Sequence, residues 1–129
     1  TEFMIKKHGR IDIVVLAAGV SAHGKFEDLQ KTEIIKKIMD VNLFGYVNMT
    51  KYTLPFLKQT KGQYVVISSI SGLIPLPLRT AYCASKFAVK GFFDALYMEE
   101  SDHISITMYC PGTIVGSNFR NNSLSGKIP

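Results

Sequence analysis

Three short runs of β-branched and apolar residues, separated by long stretches of helical periodicity, constrain the fold of this chain most. The runs occupy residues 11–17, 63–68 and 104–110. The first two are almost continuously apolar, which is typical of parallel strands covered on both faces, and the third alternates more. Strands that alternate with helices predict an α/β fold, with a doubly wound parallel sheet and right-handed crossovers.

Two long helical segments connect these runs, at 33–57 and 81–100. Apolar residues recur at helical spacing in the first segment, at Ile35, Ile38, Met39 and Leu43. Gly45 and Pro55 in the same segment predict a bend or a break. The second segment carries a stripe of small residues at Ala84, Ala88, Gly91 and Ala95. Such a stripe permits close packing, either on the sheet or against a second copy of the chain.

The composition favours one globular domain and argues against several classes of protein. The chain has 129 residues, of which 47% are hydrophobic and 19% charged, which is typical of a soluble globular domain. The formal charge is +5, but the basic residues are scattered, so no nucleic-acid partner is expected. Cys83 and Cys110 match neither a metal-site spacing nor a disulfide framework, and no metal is expected. No signal peptide or membrane-length apolar run is visible, and the compartment stays undetermined.

Both ends of the sequence lack the features of a complete domain. The chain begins at Thr1 and Glu2, with Met4 inside a predicted helix end, and it stops in the loop-like sequence "NNSLSGKIP". We therefore expect a single partial domain over 1–129, truncated at both ends, with any membrane anchor or targeting segment outside it.

Small or glycine-bearing sequence follows each predicted strand. The three segments are 17–19 (Ala-Ala-Gly), 68–72 (Ser-Ser-Ile-Ser-Gly) and 111–113 (Pro-Gly-Thr). In a parallel sheet all three would emerge at the carboxyl edge, where open α/β sheets bind ligands. The alternative is that they are only tight strand-to-helix turns. Their convergence on one edge favours a ligand site.

Tyr82 and Lys86 lie four residues apart in a helical segment, which places them on one face. An acid/base tyrosine needs a pKa about two to three units below its ordinary value near 10, equivalent to roughly 3–4 kcal/mol. One cation at about 4 Å, at an effective dielectric constant of about 20, supplies that much. We expect Lys86 to be that cation. The alternative is an ordinary pair on an amphipathic helix.

Asn42 and Ser69 are the other candidate site residues. Asn42 lies on an apolar helical stripe, so it is either a structural amide or a site residue that holds water or backbone. Ser68, Ser69 and Ser71 lack the glycines of a nucleophile elbow, and no histidine is placed as a base, which argues against a serine hydrolase. Ser69 is better interpreted as a hydrogen-bond donor to a substrate oxygen.

Taken in order after "IDIVVLAAG", Asn42, Ser69, Tyr82 and Lys86 resemble the short-chain dehydrogenase/reductase family. The resemblance extends from about Gly9 to Phe119. The spacing of 82 − 69 = 13 residues matches the family pattern and selects Ser69 among the three serines. "DVNLFG", "YCASK" and "CPGT" look like the family segments for the asparagine, the tyrosine and the nicotinamide side. The stretch 65–93 looks most like the hydroxysteroid-dehydrogenase-like branch.

The resemblance implies a partial Rossmann-like domain that transfers hydride between NAD or NADP and a carbonyl/alcohol pair. Tyr82 would exchange the proton, and Ser69 would hold the substrate oxygen. Lys86 would lower the pKa of Tyr82 and bond the nicotinamide ribose, while Asn42 would fix a water. The cofactor would contact Gly19, Tyr82, Lys86, Pro111, Gly112 and Ile114. Apolar residues at 73–77 suggest a lipophilic substrate.

The sequence departs from the family pattern in three places. The family's Asn-Asn-Ala-Gly stands here as Leu-Ala-Ala-Gly at 16–19. The threonine expected after Pro-Gly falls on Gly116, with Ser117 next to it. No G-x-G-x-x-G phosphate loop is present, so the choice between NAD and NADP is undetermined. We expect the first three strands upstream of Thr1, and the last strand and the substrate loop beyond Pro129.

Two interpretations of the function follow. Either the chain is the catalytic middle of an active oxidoreductase, or it is a truncated α/β binding module that keeps the site residues without binding the cofactor. Family members often pair through their two long helices, so a homo-oligomer through 33–57 and 81–100 is compatible with either interpretation.

Overall fold

A computed structural model of the chain describes residues 1–114 and 123–124, and these residues form three parallel strands with helices between them. The helices are α1 (Glu2–His8), α2 (Glu33–Met39), α3 (Gly45–Thr60) and α4 (Thr80–Glu100). The strands are β1 (Ile13–Leu16), β2 (Gln63–Ile67) and β3 (Ser105–Tyr109). Short 3₁₀ turns occur at Phe26–Asp28 and Ile70–Gly72. The predicted α/β class is confirmed, with strands one to three residues shorter than the apolar runs.

The strands pair side by side in the order β1-β2-β3, and both pairings are parallel. Tyr64 lies in the middle of this register, opposite Val14 on one side and Ile106 on the other. Because all strands run the same way, their carboxyl ends meet at one edge. The predicted convergence of the three loops at that edge is therefore observed.

Helices α3 and α4 cover one face of the sheet and form the core with it. Phe93 of α4 is at the centre, with its ring centroid 6.5 Å from that of Tyr46 and 6.1 Å from that of Tyr64. Alternate strand residues complete this core, including Val14, Leu16, Tyr64 and Val66. Burial of these large side chains fixes α3 and α4 against the sheet, and it thereby places the residues of α4 beside the strand ends.

The other face of the sheet is uncovered over β1, contrary to the expectation for a strand buried on both sides. Ile13 and Val15 are 59% and 60% exposed, whereas Val14 and Leu16 between and beyond them are buried. Tyr109 of β3 is 59% exposed as well. An apolar run indicates which residues a strand can bury, but it does not show whether another element covers them. Within the described residues, no element packs on this face of β1.

The segment predicted as one helix with a bend is divided by a π-helical turn at Asp40–Phe44. The N–H of Gly45 donates to the carbonyl of Asp40, five residues back. The helical segment is therefore interrupted next to Gly45, one of the two predicted break points. It is not broken at the other, Pro55, because α3 continues through this residue to Thr60. Pro55 is exposed, so the helix accommodates it on its solvent side.

The small-residue stripe of α4 faces away from the sheet. Ala84, Gly91 and Ala95 are exposed, and a Cβ placed on Gly91 would meet nothing within 4 Å. The stripe therefore does not pack on the sheet, so the first of the two predicted packing partners, the sheet and a second copy of the chain, is wrong. Among the described residues, no helix combines the length and the apolar character needed to cross a membrane.

Candidate active site

A cavity of about 280 Å³ opens at the carboxyl edge of the sheet, between the strand ends and the first turns of α4. All but one of the predicted site residues line it, namely Gly19, Ser69, Tyr82, Lys86, Pro111, Gly112 and Ile114. Three separate loops and one helix contribute these residues. The exception is Asn42, which lies outside the cavity wall. Gly116 and Ser117, where the family threonine was sought, lie outside the described residues.

Tyr82 is 4% exposed and lies in the first turn of α4. Burial raises the pKa of its phenol above the ordinary value, because a phenolate loses its hydration there. A hydrogen bond with Ser69 and the charge of Arg79 act in the opposite direction and lower this pKa. Tyr82 and Ser69 thus lie within hydrogen-bonding reach of each other, as an acid/base and oxygen-holding pair requires.

Arg79 was missed by the sequence analysis, although it lies only three residues before Tyr82 in the sequence. Its guanidinium carbon is 5.8 Å from the centroid of the Tyr82 ring, within cation–π range. The side chain is half-buried, and the residue lines the cavity. Arg79 precedes the first residue of α4, so the helical spacing that selected Lys86 does not extend to it.

Lys86 is 3% exposed, and its ammonium lies near the ring of Tyr82. Nζ donates to the carbonyl oxygen of Ile67 at 3.2 Å and is 5.8 Å from the centroid of the Tyr82 ring. Burial lowers the pKa of Lys86 to about 8, while Cys110 acts to raise it. Arg79 is a cation that lowers the pKa of Tyr82 in this arrangement, and a lowering effect of Lys86 on this pKa stays a prediction.

Tyr46, at the start of α3, is a second residue that the sequence analysis missed. Its hydroxyl donates to the same Ile67 carbonyl at 3.1 Å, and its ring centroid lies 5.7 Å from Nζ of Lys86. Burial raises the pKa of Tyr46 to about 12, with Tyr82 adding to the effect. Its position four residues after Asn42 was visible in the sequence, but its proximity to Lys86 depends on how α3 and α4 pack.

Asn42 is completely buried in the π-helical turn, and its amide is used for structure. Oδ1 accepts from the N–H of Val20 at 2.8 Å, and Nδ2 donates to the carbonyl of Val20 at 2.9 Å. Nδ2 also donates to Oγ of Ser85 at 2.9 Å. The sequence left Asn42 as either a structural amide or a site residue that holds water or backbone. Its side chain bonds the backbone of Val20, and a catalytic role for Asn42 stays a prediction. The amide fixes the loop after β1 beside α4.

The 3₁₀ turn Ile70–Gly72 positions Ser69. Oγ of Ser69 accepts from the N–H of Ser71 at 3.1 Å, so the hydroxyl proton remains available to donate. Gly72 lies against α4, since an added Cβ would be 2.9 Å from the carbonyl oxygen of Lys86. This close approach brings the Ser69 end of the turn to the Tyr82–Lys86 face of α4.

The cavity also contains polar groups suited to a bound ligand. Oγ of Ser68 is buried, lines the cavity and has no hydrogen-bond partner among the described residues. The ammonium of Lys86 has three N–H donors, one of which bonds to the carbonyl oxygen of Ile67. The backbone at Gly19 and Gly112 forms part of the wall, and a Cβ on Gly112 would meet nothing within 4 Å. Free donors beside an open backbone wall fit the ribose and nicotinamide part of a dinucleotide.

Comparison with known proteins identifies the family of this chain. The family model described as short chain dehydrogenase matches residues 1–127. The chain belongs to the short-chain dehydrogenase family. Human dehydrogenase/reductase SDR family member 7 is 37% identical over 99% of this chain and 38% of its own length. Member 7B from Xenopus tropicalis is 39% identical over 94% of this chain and 44% of its own length. This chain thus spans about two fifths of these relatives.

The predicted likeness to hydroxysteroid-dehydrogenase-like proteins is also confirmed. The 11-beta-hydroxysteroid dehydrogenase A of Sesamum indicum is 36% identical over 85% of this short-chain dehydrogenase chain and 32% of its own length. Among solved structures, the aldohexose dehydrogenase of Thermoplasma acidophilum is 31% identical, with a TM-score of 0.81 over 88% of this chain and 45% of that one.

A Thermococcus sibiricus alcohol dehydrogenase complexed with 5-hydroxy-NADP superposes with a TM-score of 0.86, at 22% identity, over 97% of this chain and 56% of that one. At that identity the superposition shows a shared fold. It confirms the partial Rossmann-like architecture expected from the sequence.

Proposed function

We propose that this short-chain dehydrogenase domain serves an NAD(P)-dependent oxidoreductase that interconverts a carbonyl and a secondary or primary alcohol, with Tyr82 as the acid/base. One observation carries the proposal: the buried Tyr82 phenol bonds with Ser69 and shares a single cavity with Lys86 and the glycine-bearing loops of all three strands. Family membership supports it, as do the dehydrogenases among the relatives.

Tyr82 donates its proton to the substrate oxygen during reduction and accepts it during oxidation. Ser69 donates a hydrogen bond to the same oxygen and stabilises the charge that develops on it, since the bond that its Oγ accepts from Ser71 does not use the hydroxyl proton. Arg79 stabilises the phenolate of Tyr82 while it is deprotonated. The bound nicotinamide cofactor supplies or accepts the hydride.

The cofactor is held by Gly19, Tyr82, Lys86, Pro111, Gly112 and Ile114 in this proposal. Their placement around one cavity supports it. Lys86 bonds the nicotinamide ribose with the N–H donors that Ile67 does not use. Asn42 contributes to the site through the position of Val20 and Ser85, and a water held near it completes the proton relay. NAD and NADP remain equal candidates, since the residues that select between them are not in this chain.

The proposed substrate is lipophilic. Ile70, Leu76 and Ile114 line the same cavity as Tyr82, and Leu73 and Ile74, which lie between Ile70 and Leu76 in the sequence, are each 48% exposed. Apolar side chains favour a hydrocarbon surface, while Ser69 and Tyr82 select for the single oxygen that reacts.

We also propose a homo-oligomer through the two long helical segments, 33–57 and 81–100. The outward side of each is apolar or small: Phe44, Met49 and Tyr52 on one, and Ala84, Phe87 and Gly91 on the other. A second copy of the chain would bury these residues. Light scattering of the wild type and of Gly91→Glu tests this proposal. A dimer that dissociates in the variant supports it, and a monomeric wild type contradicts it.

Because the chain spans about two fifths of its curated relatives, the activity is proposed for a full-length protein that contains it. The test is to incubate that protein with NADH or NADPH and a panel of ketones and aldehydes, and to follow the absorbance of the reduced nicotinamide. Turnover of apolar carbonyl compounds supports the proposal. Binding of neither cofactor contradicts it and favours the non-catalytic binding module. For the 129-residue chain alone we expect weak or no cofactor binding, since no phosphate-binding loop is in its sequence.

A further inference from the structure

Two side chains from different helices donate to one backbone carbonyl beside the proposed acid/base. Ile67 is the last residue of β2, and β1 ends opposite the preceding residue, Val66. The carbonyl oxygen of Ile67 accepts from the Tyr46 hydroxyl at 3.1 Å and from Nζ of Lys86 at 3.2 Å. The strand end thus offers an acceptor one residue beyond the β1–β2 ladder.

The Tyr46 ring also contacts the ammonium of Lys86. Nζ is 5.7 Å from the centroid of the Tyr46 ring, a distance at which a ring attracts a cation. Tyr46 is 2% exposed and Lys86 is 3% exposed, so little water competes with either interaction. One residue therefore acts on the lysine in two ways, through the face of its ring and through the acceptor that its hydroxyl occupies.

We infer that Tyr46 is a positioning residue for Lys86: its ring stabilises the ammonium, and its hydroxyl shares the Ile67 carbonyl, which limits how strongly the backbone holds that ammonium. The consequence for catalysis rests on the proposed function, because a less firmly held ammonium has more donor capacity for a ligand in the cavity. The effect of Tyr46 on Lys86 itself does not depend on any reaction.

The two effects of Tyr46 have opposite signs and can be separated. Tyr46→Phe keeps the ring and releases the carbonyl to Lys86 alone, so the charged form of the lysine gains stability. Tyr46→Leu removes the ring as well, so the cation loses its aromatic contact. The other titratable groups that act on or face Lys86 are Tyr82 on its own helix and Cys110 after β3, and both substitutions leave these in place.

The experiment is an NMR pH titration of the full chain labelled with ¹³C at the lysine ε-carbons, with the Lys86 resonance assigned from Lys86→Arg. Lys86 in the wild type should titrate near pH 8, far below the ordinary lysines. Tyr46→Phe should raise this midpoint by about half a pH unit or more, and Tyr46→Leu should leave it lower than in Tyr46→Phe by a similar amount.

Tyr64→Phe is the matched control. Tyr64 is also fully buried, but its hydroxyl bonds with Thr53 and Thr50 and not with Ile67. Its substitution should leave the Lys86 midpoint where it is in the wild type. If Tyr46→Phe and Tyr64→Phe give the same midpoint as the wild type, Tyr46 is only a packing residue and the inference is wrong. That outcome leaves the proposed oxidoreductase activity unaffected, and a failed turnover assay leaves the titration interpretable.

Discussion

The side chain of Asn42 bonds both backbone groups of Val20, its N–H at 2.8 Å and its carbonyl at 2.9 Å. The amide thus pairs with the Val20 backbone as the backbone of a neighbouring strand would. It joins two segments that lie 22 residues apart in the sequence. Because Nδ2 of Asn42 also reaches Ser85, the loop after β1 is fixed to the helix that carries Tyr82. The shape of the cavity wall at Gly19 therefore depends on an amide that the ligand site does not contain.

Asn42→Ala should lower the free energy of unfolding by about 3 kcal/mol, because it leaves three hydrogen-bonding groups without their buried partner. Urea denaturation followed by circular dichroism measures the loss. Asn48→Ala is the control, since Asn48 is exposed on the neighbouring helix and its loss should cost less than about 0.5 kcal/mol. Equal stability of the two variants would show that the Val20 contact has no structural weight.

The buried ammonium of Lys86 should make the protein more stable as the pH rises above 8. The pKa of Lys86 is lowered from 10.5 to about 8 by burial, so below pH 8 both the folded and the unfolded protein carry its proton and the penalty is complete. Between pH 8 and 10.5 the unfolded protein holds more protons, and the free energy of unfolding increases with pH. The whole effect is on the order of 3 kcal/mol.

Buried tyrosines reverse this trend at higher pH. Burial raises the pKa of Tyr46 to about 12 and also raises that of Tyr64 and Tyr82, so above pH 10 the unfolded protein loses these protons first. Stability should therefore be greatest at about pH 9–10. Urea denaturation at a series of pH values measures the curve. Lys86→Met should abolish the rise between pH 8 and 10, and a rise that persists in Lys86→Met would contradict this assignment.

Arg79→Gln should raise the pKa of Tyr82, because the charge of the guanidinium lowers this pKa. In a full-length protein that contains this chain, the pH at which alcohol oxidation reaches half of its maximum should move up by about half a unit. Arg10→Gln makes the same change at an exposed residue on the opposite, amino-terminal side of β1, where Arg10 pairs with Asp12. It should leave the profile unchanged. An unchanged profile in Arg79→Gln as well would exclude Arg79 from the electrostatics of Tyr82.

Sequence reasoning reached the features that depend on spacing along one element. The three apolar runs predicted the parallel sheet, and the interval from Ser69 to Tyr82 selected the serine that bonds the tyrosine. Arg79 lies before α4 and before the predicted helical segment 81–100, so helical spacing did not reveal it.

The remaining features depend on packing between elements. The contact of Tyr46 with Lys86 requires the crossing of α3 and α4 over β2, which no single segment encodes. The exposed face of β1 could not be predicted either, because Ile13 and Val15 have the composition of a buried strand whatever covers them. Burial raises the pKa of Tyr82. The prediction from the sequence considered only the Coulomb attraction of a nearby cation, which acts in the opposite direction.

Turnover by Tyr82→Phe tests the central claim most directly. The substitution removes the hydroxyl and keeps the ring that packs in the first turn of α4. It should be measured in a full-length protein that contains this chain, with an apolar carbonyl substrate and with cofactor binding recorded in the same preparation. We expect a loss of at least about 100-fold in kcat with cofactor binding retained. A variant that binds cofactor and turns over substrate at nearly the wild-type rate would contradict the assignment of Tyr82 as the acid/base.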